Sequence, residues 1–292
     1  MRGGFTFVDA VNFPATGQTG DDRYGFDESA GTAWVVDGAT DVGTRRVMPA
    51  EAEESHGFVQ YESDAAWYAE ALSTRLMSPP RPGEAAKAYL EHVIRDVSAR
   101  AQAAAVTPLD AEPRHNLPSA GGIWARRDGD AVEFATLGDC MGIVRTGGHT
   151  HVIGNLAAVK AEHATNREQL ARPEGKEGGY ASARDDRNRM NTEGAHWVFS
   201  IHPEAAARAD IQRIPLSGES HILLMSDGFF RLVEPYKRYD ASGLMDAALK
   251  HDDVLDLMTE LRAQENNPED DARIGRLKTR DDACALLLKV SA

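Results

Sequence analysis

Three short runs near the start of the chain, 5–11, about 24–27 and 32–36, are apolar or alternate apolar with polar residues, and they read as strands. The period then changes. Ser63 precedes Tyr68, Leu72 and Leu76 at four-residue spacing, which predicts a helix over 64–77 with Ser63 as its N-cap. Ala86, Leu90, Val93, Val97 and Ala101 share one face of a second helix, predicted over 83–105, and Pro108 stops the pattern. Both apolar faces are narrow and alanine-rich, which suits packing onto a sheet. A second block of strands is expected at 119–126, 131–137 and 140–146, with turns at Arg127-Asp128-Gly129-Asp130 and Gly138-Asp139. Order resumes at 196–200 and 220–226, followed by two short helices near 241–265 and a final strand over 283–290. This order predicts an α+β fold, a β-sandwich flanked by helices.

One stretch breaks the pattern. Residues 160–195 are polar, charged and poor in branched apolar residues, with Glu174-Gly175-Lys176-Glu177-Gly178-Gly179 and Arg184-Asp185-Asp186-Arg187-Asn188-Arg189. An aperiodic segment of that length inside a domain points to a functional or mobile loop. No internal repeat and no linker divides the chain, so residues 1–292 read as a single domain.

Composition narrows the function. Lys and Arg total 32 and Asp and Glu 46, a formal net charge of −14 over 292 residues. That excess repels phosphate backbones and argues against nucleic acid as a partner. No apolar run is long enough to span a membrane, and MRGGFTFVDAVNF lacks the long apolar run of a signal peptide, so a cytoplasmic protein is expected. Cys140 and Cys284 sit in apolar strand-like runs and read as buried free thiols of a reducing cytoplasm. No phosphate-loop motif occurs, Ser226 lacks the G-x-S-x-G frame of a nucleophile elbow, and His149 and His151 on one strand face lack a third ligand.

The surplus carboxylates are not scattered. Val35-Val36 runs into Asp37-Gly38, Thr136-Leu137 into Gly138-Asp139, and Leu224-Met225 into Ser226-Asp227-Gly228, while Asp281-Asp282 precedes the closing strand. Each places aspartate at the tip of an apolar strand beside a residue that permits a turn. One end of an antiparallel sheet collects the C-terminal tips of some strands and the N-terminal tips of others, so these residues can converge. Converging carboxylates raise one another's pKa values, which divalent cations relieve, and an all-oxygen donor set suits Mg²⁺ or Mn²⁺.

Taken in order, these segments resemble the metal-dependent serine/threonine protein phosphatases of type 2C, bacterial members included. The resemblance rests on Gly20-Asp21-Asp22-Arg23-Tyr24-Gly25, Val35-Val36-Asp37-Gly38, Pro118-Ser119-Ala120-Gly121, Leu137-Gly138-Asp139-Cys140, Met225-Ser226-Asp227-Gly228 and Asp281-Asp282-Ala283, spread over nearly the whole chain. It implies a central antiparallel β-sandwich with helices on both sides and a flap at about 155–195. It implies two divalent cations, Mn²⁺ or Mg²⁺. Asp37 would bridge them, with the carbonyl of Gly38 on one and Asp227 and Asp281 on the other. Asp21 and Asp22 would act through bound waters, and Asp139 at a third, weaker site. The implied activity is hydrolysis of phosphoserine or phosphothreonine in a phosphorylated protein substrate by a metal-bridged hydroxide, with Asp37 and Asp227 central to catalysis. Oligomeric state is left open.

Some positions depart from the family pattern. The arginine that grips phosphate in many members is here Gly17, a general-acid histidine is Ala39, the first acidic ligand is the shorter Asp21, and the closing asparagine is Asp282. Arg184, Arg187 and Arg189 of the flap, or Arg23, are the candidate replacements for the missing grip. The alternative reading is a weak or inactive phosphatase-fold protein that binds a phosphorylated or regulatory partner. Hydrolysis of small phosphorylated molecules is a third reading.

Overall fold

The computed structural model describes residues 4–290, except 17–18, 41, 55–56, 252, 268–273 and 275. Gly17 lies outside the described residues. Two five-stranded antiparallel sheets form a sandwich. One has the order β1 (Phe5–Phe13), β12 (Ala283–Val290), β11 (Ser220–Met225), β8 (Met141–Thr146) and β9 (His149–Ile153). The other runs β10 (Asp210–Pro215), β7 (Ala131–Leu137), β6 (Ala120–Asp128), β3 (Thr32–Gly38) and β2 (Arg23–Asp27). A hairpin of β4 (Glu51–Glu54) and β5 (Gly57–Gln60) stands apart.

Period-two alternation sorts the strand side chains into layers. In β3, Ala33 and Val35 point into the sandwich while Trp34 and Val36 face helices. In β11, Ile222 and Leu224 point inward and Leu223 and Met225 outward. In β12, Cys284, Leu286 and Leu288 point inward, and Ala283, Ala285 and Leu287 outward. Every strand buried on both faces must therefore be apolar throughout, which is what these runs are. Helices α1 (Asp64–Leu76) and α2 (Ala86–Ala104) cover one outer face through Tyr68, Leu72, Leu90 and Val93. Helices α6 (Ala241–His251) and α7 (Val254–Glu265) cover the other through Leu244, Met245, Met258 and Leu261. Helices thus lie on both sides of an antiparallel sandwich. Both cysteines are buried free thiols.

The differences from the sequence reading fall mainly between β9 and β11, with one more between β3 and α1. The segment expected to be an irregular flap is a pair of helices, α3 (Leu156–Leu170) and α4 (Gly175–Asn188). Residues 196–200 form no strand; Phe199 makes an isolated bridge to Ala120. The edge strand β10 and the β4–β5 hairpin appear where no strand was predicted. Among the described residues no helix is long and apolar enough to cross a membrane.

Candidate active site

Strand register places the acidic residues at one end of the sandwich. Asp37 pairs with Gly121 at the end of β3, while Arg23, the first residue of β2, pairs with Val36, so Asp21 and Asp22 lie just before it. In the other sheet Met225, ending β11, pairs with Ala285, so Asp227 and Asp281 flank the same end. Asp139 follows β7, whose Leu137 pairs with Gly122 of β6. The amide of Asp227, the first residue of α5 (Asp227–Phe230), donates to Asp37 Oδ2 at 3.2 Å and ties the two sheets together there.

Glycines make the close approach possible. A Cβ on Gly38 would lie 2.6 Å from Asp21 Cβ, and one on Gly228 only 1.9 Å from the carbonyl oxygen of Asp282. No side chain fits at either crossing.

The charges are divided unevenly. Asp22 is fully buried, and neither carboxylate oxygen has a hydrogen-bond partner of sound geometry. Burial pushes its carboxyl well above the usual range; nearby Ser226 opposes the shift and Asp282 and Asp227 reinforce it. The Ser226 hydroxyl itself accepts the Cys284 amide at 2.9 Å. Asp37 is likewise raised well above normal by burial and then by Asp22, Asp227 and Asp139. Burial and the Asp227 charge push Asp139 up to about 7. Asp21 rises to about 6 through burial, although Ser63 donates a hydrogen bond to its Oδ1 at 2.6 Å. Glu162 of α3 joins the group. Its side chain has open surface, yet crowding on the cleft side and the charges of Asp139 and Asp227 raise it towards about 8; water on the open side relieves part of that rise.

Asp281 behaves oppositely. Burial alone would raise it, but Arg231 and Lys278 overcome that and hold it below the usual range. Arg231 Nη2 donates to Oδ2, and Lys278 Nζ donates to Oδ1 at 3.0 Å. Asp282 accepts the amides of Ala15 and Asp21, so it fastens the loop before β2. Neither Arg231 nor Lys278 was singled out from sequence. An arginine directly after Phe229-Phe230 in an apolar run is a buried charge that needs a partner, and that signal was available.

The four candidate arginines are placed as follows. Arg23 pairs with Glu70 at 2.6 Å and donates to the carbonyls of Gly20 and Asp22. Arg184 donates to the Val42 carbonyl at 2.9 Å, and Arg189 pairs with Asp186. Arg187 donates to Ser119 Oγ at 2.9 Å and to the Thr40 carbonyl, and it stands near enough to Asp139 to oppose that residue's shift. Of these four, Arg187 borders the acidic cluster at Asp139, and Arg23 borders it at Asp21, whose shift it likewise opposes. His149 and His151 are exposed on β9, the edge strand of its sheet.

Beside the cluster lies a groove of about 750 Å³, lined by residues that include Asp21, Ser63, Lys176, Tyr180, Lys278 and Arg280. The oxygen-only donor set and the orphaned Asp22 suit a hard divalent cation on the side of Asp22, Asp37 and Asp227. Among the described residues, no three His, Cys, Asp or Glu side chains form a group that could hold a metal as they stand. An ion would have to draw these carboxylates inward and retain waters of its own.

No family model matches the chain, and no curated protein matches it. Solved structures do. PppA, a regulatory component of T6SS in Pseudomonas aeruginosa, aligns with a TM-score of 0.53 at 13% identity over 99% of this chain and 98% of that one. The Mycobacterium tuberculosis serine/threonine phosphatase PstP/Ppp aligns with a TM-score of 0.53 at 12% identity over 97% of each chain. The PstP catalytic domain in complex with two manganese ions aligns at 0.51 and 13% identity, again over 97% of each. With the strand order, the flanking helices and nearly full coverage of both chains, these likenesses establish that the chain has the fold of the type 2C serine/threonine protein phosphatases.

Proposed function

We propose that the acidic end of the sandwich hydrolyses phosphoserine or phosphothreonine esters in proteins, in a divalent-cation-dependent reaction, with the chain acting as one catalytic unit. The observation that carries this reading is Asp22: a fully buried carboxylate with both oxygens unpartnered, beside Asp37 and Asp227. Ser226 offsets only part of the cost of burying that carboxyl, and such a group persists where a ligand does.

When bound, Mn²⁺ or Mg²⁺ would supply charge neutralisation for the phosphoryl oxygens and an acidified water. Asp22, Asp37 and Asp227 would hold it. Asp139 and Glu162 face the same space. Arg187, already fixed by Ser119 and Thr40, is the flap arginine beside Asp139 and would orient the phosphate. The neighbouring groove offers Tyr180 and Lys176 to the rest of the peptide. The two buried thiols are consistent with action in a reducing cytoplasm.

The test is phosphate release from a phosphothreonine peptide with Mn²⁺, with Mg²⁺ and with chelator. We expect metal-dependent turnover, reduced roughly a hundred-fold or more in Asp37→Asn and Asp227→Asn. A second reading has specific support. Asp281 is already neutralised by Arg231 and Lys278, and Gly17 stands where the family's phosphate-gripping arginine is expected. A weak or inactive protein that binds a phosphorylated or regulatory partner would retain phosphopeptide binding and show no metal-dependent turnover.

A further inference from the structure

We propose that this chain takes one divalent cation in its acidic cleft rather than two, because Arg231 and Lys278 fill the second position with fixed protein charge. The inference rests on the reading of the cleft as a metal centre. It departs from the two-ion arrangement that the sequence resemblance implies.

The two halves of the cluster differ in how their oxygens are used. In one half, Asp22 is fully buried with neither oxygen partnered, and Asp37 receives the Asp227 amide. Lone pairs there are available to an incoming cation. In the other half both oxygens of Asp281 are taken, Oδ2 by the Arg231 guanidinium and Oδ1 by the Lys278 ammonium at 3.0 Å.

Arg231 is held on a second side as well. It is 7% exposed, and its Nη1 reaches Glu265 Oε1 at 3.5 Å. Glu265 is itself fully buried and bound through its other oxygen by Arg262. Moving the guanidinium aside would separate a buried ion pair from both of its anions. A dication at Asp281 would meet two cations at hydrogen-bond range from the same carboxylate, whereas among the described residues no cationic side chain is hydrogen-bonded to the carboxylate of Asp22 or Asp37.

Metal content and magnetic state test this directly. Wild-type protein equilibrated with Mn²⁺ is expected to bind one tight ion per chain and to give the six-line resonance of isolated Mn²⁺. Two ions roughly 3.5–4 Å apart would couple and lose that spectrum. Lys278→Met and Arg231→Met, each checked for folding by circular dichroism, are expected to admit a second ion and turn the signal into that of a coupled pair. Lys278 is partly exposed and its variant is the milder of the two, so it decides the matter if Arg231→Met does not fold.

Two tight, coupled ions in the wild type would overturn the inference and leave the phosphatase reading standing. A folded Lys278→Met protein that still binds a single ion would overturn the role given to the fixed cations. One ion without turnover would overturn the enzymatic reading alone. No tight ion in the wild type would overturn both.

Discussion

Ser63 shows how tightly local structure and site are joined at the level of one residue. Its hydroxyl accepts the Ala66 amide at 2.8 Å, which caps α1, and donates to Asp21 Oδ1 at 2.6 Å. Ser63→Ala removes both interactions and should lower stability by about 1–2 kcal/mol in urea unfolding, with Ser63→Thr recovering most of the loss. Gly228→Ala places a methyl 1.9 Å from a backbone oxygen, so the chain must shift at the start of α5. We expect it to cost about 3 kcal/mol or more and to reduce metal binding as Asp227 is displaced; a neutral result by thermal unfolding would contradict the crossing described. At this scale the aspartates were legible in the sequence because each stands at the tip of an apolar run. Ser63 was legible as a cap but not as a partner of Asp21, and neither Arg231 nor Lys278 was seen as the counterion of Asp281. Those pairings join residues 42, 50 and 3 positions apart, and no local spacing encodes the first two.

Among the α-helices of more than one turn, the two flap helices bury the fewest described residues. α3 buries Val159 and α4 buries Gly179 among their residues, and both otherwise show polar surface. Their anchors are polar: Arg184 to Val42, Arg187 to Ser119 and Thr40, and Asn188 Oδ1 to the His115 amide. Arg187→Ala should therefore raise amide exchange across 156–188 while leaving β3, β6, β11 and β12 protected. It should also raise KM for a phosphopeptide more than it lowers kcat; unchanged exchange would remove the anchoring role. Burial is what writes periodicity into a helix, so helices that bury almost nothing carry no pattern, and this is why 160–195 reads as irregular. The same reason hides β10, whose residues are exposed or half-buried along its length. Strands β3, β11 and β12 and helices α1 and α2 lie in the core layers, and their positions followed from sequence to within a few residues.

For the molecule as a whole, the acidic cluster makes stability depend on pH and, on the proposed reading of the site, on metal. Asp22, Asp37, Asp139 and Asp21 bind protons more tightly folded than unfolded, so stability falls as pH rises from about 4 through the folded values near 6 and 7. Asp281 has the opposite sign: its contribution is present above the ordinary carboxylate range and is lost only below it, beneath this window. Metal-free protein should therefore melt at a higher temperature at about pH 5.5 than at about pH 7.5. Mn²⁺ at a hundred times its Kd should add about 2.7 kcal/mol at the higher pH, and less in Asp227→Asn. A melting temperature flat in both pH and Mn²⁺ would contradict this account. The position of β12 has a further consequence for biosynthesis. It lies between β1 and β11 in its sheet and is preceded by Asp281, so β1, once made, finds its sheet neighbour only when residues 283–290 emerge. At about 5–20 residues per second, β1 waits on the ribosome for roughly 15–60 s with an open edge. A nascent chain stalled before residue 281 should remain protease-sensitive and lack the complete acidic cluster, so limited proteolysis of the stalled chain should differ from that of the released one.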